Sequence, residues 1–146
     1  MTQAVRSRSY IAALAATCAV LGFAGSAAAV ELSTTLTGAA ERPGPGDADG
    51  AGTATVKLDI AKGEVCYQLK VSNIATATMA HIHKGAADAA GGVVVPLTAP
   101  AEGSSSGCVT PADPAVVKAI AEHPGDYYVN VHNAEFKPGA IRGQLK

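Results

Sequence analysis

The sequence predicts an all-β domain, an antiparallel β-sandwich or barrel with one short helix. Three observations predict it. Several short segments alternate apolar and polar residues with period two, most regularly Thr53 to Ile60 and Glu64 to Val71. Clusters of Gly, Pro and Asp separate them, as turns separate strands. One stretch alone, opened by Asp113-Pro114, carries apolar residues at helical spacing.

In chain order, residues 1–29 read as an export signal. Arg6 and Arg8 form a positive start, Ile11 to Phe23 is a short apolar run, and Ala27-Ala28-Ala29 supplies the small residues of a cleavage site. The run is short for a membrane span. Cys18 leaves with the signal. Residues 30–146 then form one domain with a modest core. Removing Arg6 and Arg8 from the 11 basic residues leaves nine against 12 acidic ones, a net charge of about −3. No basic run remains for a nucleic-acid partner, and no long apolar stretch for a membrane after cleavage. The expected location is periplasmic or secreted.

Glu31 to Gly38 alternates around Leu32, Thr34 and Leu36 and reads as the first strand. Arg42 to Gly52 is a loop. Within it Asp47-Ala48-Asp49-Gly50 has the look of half a calcium loop but lacks the remaining ligands, so it reads as a turn. Thr53 to Ile60 and Glu64 to Val71 form a hairpin about Ala61-Lys62-Gly63, with Val65, Tyr67, Leu69 and Val71 on one face and Cys66 on the other. Thr78 to His83 is a strand. A Gly/Ala/Asp loop follows, and Val93-Val94-Val95 reads as a short buried strand. Ala99 to Gly107 reads as polar and flexible, with a further short strand at Gly107 to Thr110. Asp113 is a good N-cap and Pro114 a good first residue for a helix whose stripe is Val116, Val117, Ile120 and Ala121. Pro124-Gly125 ends it, leaving His123 as a surface residue in the last turn. Tyr127 to His132 and Ala140 to Leu145 are the last strands.

Cys66 and Cys108 are the cysteines that remain after cleavage. An even count in an exported chain reads as a disulfide, closing a loop of about forty residues. Thiolate ligation of a metal is the alternative. It is disfavoured because neither cysteine neighbours a histidine.

The functional candidates are histidines. In a strand, His81 and His83 stand on one face while Ile82 turns to the core. On the Tyr127 to His132 strand, Tyr128, Asn130 and His132 share the polar face. If the two strands approach, three imidazoles converge in a set that suits copper or zinc. Copper is preferred because Met79 lies on the same strand face and a thioether suits monovalent copper. Arg142 has the outward phase of the last strand, open to an anion or paired with a carboxylate such as Glu135. No Ser/His/Asp or Cys/His set and no placed carboxylate pair is present, so no catalytic residue is assigned.

Four motifs occur in order: Ala80-His81-Ile82-His83-Lys84-Gly85, Gly92-Val93-Val94-Val95-Pro96-Leu97, Tyr127-Tyr128-Val129-Asn130-Val131-His132 and Gly139-Ala140-Ile141-Arg142-Gly143-Gln144-Leu145. Together they resemble the CHRD (chordin) domain, in the form of an exported bacterial member, over nearly all of residues 30–146. That family usually carries Glu where this chain has Ala140. The resemblance implies an extracytoplasmic β-domain and leaves activity open. The layout is also similar to copper/zinc superoxide dismutase, a Greek-key sandwich with a His-x-His strand and a later strand ending in a copper-binding His. A counterpart of the zinc loop is missing here. Three readings follow: a metal-binding protein, an extracytoplasmic interaction module whose histidines only brace the fold, and a superoxide-dismutase-like copper enzyme.

Overall fold

The structure is a computed structural model that describes residues 29–110 and 112–146. Residues 1–28, most of the stretch that reads as an export signal and Cys18 with it, lie outside the described residues. Among the described residues eight strands form: β1 (Val30–Thr37), β2 (Ala51–Asp59), β3 (Glu64–Ser72), β4 (Ala77–Lys84), β5 (Gly92–Leu97), β6 (Ser104–Val109), β7 (Tyr127–Asn133) and β8 (Ile141–Gln144). The helix α1 (Pro114–Glu122) lies between β6 and β7.

Every strand pairing is antiparallel, in the order β5-β4-β7-β8-β1-β2-β3-β6. The two edges lean on each other. The Thr98 N–H donates to the Tyr67 hydroxyl at 2.8 Å, and the Ser105 hydroxyl donates to the Thr98 carbonyl at 2.7 Å. The sheet thus curls into a nearly closed barrel, as the alternating segments predict.

Period-two alternation builds the core. Leu36, Val56, Leu58, Val65, Leu69, Ile82, Val129, Val131 and Ile141 are all fully buried, and each is flanked on its strand by residues facing the other side. The helix plugs one part of this core with Val117 and Ile120, both fully buried. Burying each stabilises the fold by roughly 1.5–3 kcal/mol. Its start is held as predicted, since the Asp113 carboxylate accepts the Ala115 N–H at 2.8 Å. His123 is exposed at its end.

Three local readings change. β5 is an edge strand, so of the three valines Val95 is buried while Val93 is 51 % exposed. Ser104 to Gly107 belongs to β6 rather than to a flexible loop, because the β3 edge supplies the partner for its backbone. Ile60 falls past the end of β2, in the turn, and is exposed. The Asp47 to Gly50 segment is a turn closed by Gly50 N–H on the Asp47 carbonyl.

β7 is buried along its whole length. Tyr127, Val129 and Val131 face the core. Tyr128, Asn130 and His132 face outward, as their phase requires, but loops fold back over them. The barrel therefore has a second buried layer on this side, and that layer is polar. Among the described residues no helix is long and apolar enough to cross a membrane.

Candidate metal centre

The register of β4 against β7 places Met79 opposite His132, His81 opposite Asn130 and His83 opposite Tyr128. His132 is thus diagonal to His81 on the same outer face. Nδ1 of His81 lies 3.2 Å from Nε2 of His132, and each of the three histidines offers a ring nitrogen within 4.8 Å of the others. Nitrogens bound tetrahedrally to one metal at about 2.0–2.1 Å lie about 3.3 Å apart. The His81–His132 pair already has that spacing.

Backbone carbonyls orient two of the rings. Nδ1 of His83 donates to the Gly91 carbonyl at 2.9 Å, and Nδ1 of His132 donates to the Lys137 carbonyl at 2.9 Å. A neutral imidazole with its proton on Nδ1 has its lone pair on Nε2. Nε2 of His83 is buried and has no protein partner. Nε2 of His132 accepts from His81 in the metal-free state. A carbonyl that holds the far nitrogen of a ligand ring is the usual support of a metal-bound histidine.

His83 and His132 are buried, and His81 is half-buried at the open side of the group. Burial lowers the pKa of all three. For His83, the Gly91 carbonyl opposes that fall, while His132 and Arg142 add to it. The rings are therefore held neutral at pH 7, the form in which imidazole binds a metal. Three neutral nitrogens with one side open can hold a single ion and leave a position for a further ligand. Met79 is 48 % exposed at that side.

Arg142 is not where its phase suggested. It is 1 % exposed and makes no ion pair with Glu135, which is itself on the surface. Its guanidinium donates to the carbonyls of Ala89 (2.9 Å) and Ala86 (2.7 Å) and lies 3.4 Å from the centre of the Tyr128 ring. The outward phase was right, but loop 85–91 covers the position. Arg142 is thus committed to carbonyls and is not open to an anion.

Cys66 and Cys108 form the disulfide, directly opposite each other on β3 and β6. Glu64 lies beside them, but a disulfide leaves no thiolate for a metal.

Several contributors went unread in the sequence. Asn133 accepts the N–H groups of Glu135 and Phe136 and so shapes the loop that brings Lys137 to His132. Asn130 donates to Glu41 at 2.6 Å, between His81 and Arg142 in the register. Burial raises the Glu41 pKa to about 7, against the opposing effects of Asn130 and Arg142. The Asn-Ala-Glu spacing after His132 was a readable turn signal. Glu41 carried none, because its partner is 89 residues away.

The architecture and the site together define a class: an antiparallel β-barrel with a buried polar layer and three clustered histidines. The CHRD domain family matches residues 32–145, most of the chain, and the chain belongs to that family. No curated protein and no solved structure matches it.

Proposed function

We propose that this CHRD domain is an exported protein that binds one transition-metal ion through His81, His83 and His132. The observation that carries the reading is the pair of carbonyl-bonded rings, one of which presents a buried Nε2 with no partner. A lone pair buried without a partner has an energetic cost that a bound metal would remove. Copper is favoured over zinc, because nitrogen ligands bind divalent copper more tightly and Met79 borders the open side. Export to the periplasm or outside is supported by the disulfide, which persists in an oxidising compartment.

The reading is of a metal-binding protein rather than an enzyme. A superoxide-dismutase-like reading gains no support from Arg142, whose guanidinium is engaged with carbonyls. A second reading is favoured by the His81–His132 hydrogen bond. In it the histidines brace an interaction module and bind no metal.

The test is copper and zinc titration of wild type and of His81→Ala, His83→Ala and His132→Ala, each checked for folding. One equivalent bound by wild type and lost in each variant supports the site. Equal binding by all four proteins would return the histidines to the bracing role.

A further inference from the structure

Loop 85–91 supplies the carbonyl that orients His83, yet it has little of its own to hold it in place. Ala86 to Ala90 is exposed and carries no large apolar side chain. The Gly85 N–H donates to the Asp126 carbonyl and the Ala89 N–H to the Ala86 carbonyl, and a set of side chains from β7 and β8 bonds the rest of its backbone. Arg142 donates to Ala86 and Ala89, Gln144 donates to Gly85 at 2.7 Å, and the Tyr128 hydroxyl accepts the Gly91 N–H at 3.0 Å.

Arg142 is central to this set. The planar fork of a guanidinium reaches two carbonyls three residues apart at once, which an ammonium does poorly. Tyr128 couples the same set to the metal group, since its ring contacts the Arg142 guanidinium and stacks on His83 with centroids 4.9 Å apart and planes 8° apart. Among the described residues no carboxylate lies within ion-pair distance of Arg142. Carbonyl dipoles and the ring face offset the cost of burying its charge.

We propose that Arg142 is a positioning residue for His83. By clamping loop 85–91 it keeps the Gly91 carbonyl on Nδ1, and so keeps the Nε2 lone pair of His83 directed into the three-histidine group. The consequence for metal affinity rests on the metal-binding reading above. The consequence for the proton on His83 does not.

The experiment therefore begins with metal-free protein. Nitrogen NMR of the imidazoles reports which ring nitrogen of His83 carries the proton, in wild type, Arg142→Lys and Tyr128→Phe. Tyr128→Phe keeps the stacked ring and both Arg142 bonds and loses only the hydroxyl on Gly91, so it tests whether holding the loop sets the proton, and Arg142→Gln tests the guanidinium again should Arg142→Lys fold poorly. Wild type is expected to hold the proton on Nδ1. The variants should populate the Nε2-protonated form and bind copper at least about tenfold more weakly, the size of effect seen when a partner of a ligand ring is lost. An unchanged His83 proton in a folded Arg142 variant overturns the proposal, as does a moved proton with copper affinity equal to wild type. If wild type binds no copper, the metal reading fails alone, and the NMR result still decides the clamp.

Discussion

A side chain at Gly91 would collide with the carbonyl of Lys84, so loop 85–91 closes onto the end of β4 only because residue 91 has no Cβ. The same residue gives its carbonyl to His83. Close packing of the loop and orientation of the His83 ring therefore depend on one glycine. Gly91→Ala should destabilise the protein by about 1–3 kcal/mol, as overpacking does, and weaken copper binding. Urea unfolding and copper titration check both. A variant as stable as wild type with unchanged affinity would mean the loop can shift without consequence.

Glu41 should make the protein less stable as pH rises. Its folded pKa is about 7 against an ordinary 4.5. A raised carboxyl favours the fold below the unfolded value, and that stability is lost as pH climbs through 7. Glu41→Gln retains an acceptor for Asn130 and cannot ionise. It should be more stable than wild type at pH 8, by an amount on the order of 3 kcal/mol with the Arg142 attraction already included, and similar to it near pH 4.5. Unfolding curves at the two pH values measure this, and a variant weaker than wild type at pH 8 contradicts it.

The histidines act in the opposite direction. All three have pKa values lowered by burial. An unfolded chain takes up protons near 6.5 while the fold resists them, so their contribution is fully present above about 6.5 and is lost as pH falls through the lowered folded values. The two effects overlap in wild type and separate in the Glu41→Gln background. There, stability should fall from pH 7 to pH 5, and copper affinity should fall with it because bound imidazoles must be unprotonated. A flat profile over that range would count against three desolvated rings.

The Cys66–Cys108 bridge closes a 42-residue separation. On the chain-entropy model such a loop contributes about 4 kcal/mol. Non-reducing mass analysis of residues 30–146 should find no free thiol. Replacing both cysteines with serine should lower stability by a few kcal/mol and speed hydrogen exchange first in β6. Slow exchange throughout β6 in that variant would show that strand pairing alone holds the edge.

Much of the barrel was legible because alternation is a local property. Ala54, Val56 and Leu58 show one face of β2 without reference to any other strand. The same rule put His81 and His83 together and gave His132 its outward phase. It could not tell outward from exposed. Arg142 and His132 both point away from the core, and both are buried, because loops with no apolar periodicity cover them. The valines of β5 failed in the other direction. Their run is that of a buried strand, but whether a strand is central or at an edge depends on which partners the chain brings to it. Glu41 was hidden for the same reason, since a loop residue has no pattern from which a distant asparagine can be inferred.

The seam between β5 and β6 has one more consequence. An unpaired strand edge is a template on which another molecule can add a strand. Here each edge faces the other, Thr98 joins them through Tyr67 and Ser105, and Pro96 removes a donor from β5. The disulfide holds β6 in that seam. Reduction would remove that covalent tie and leave strand pairing alone to keep the edge of β3 covered against the addition of another strand.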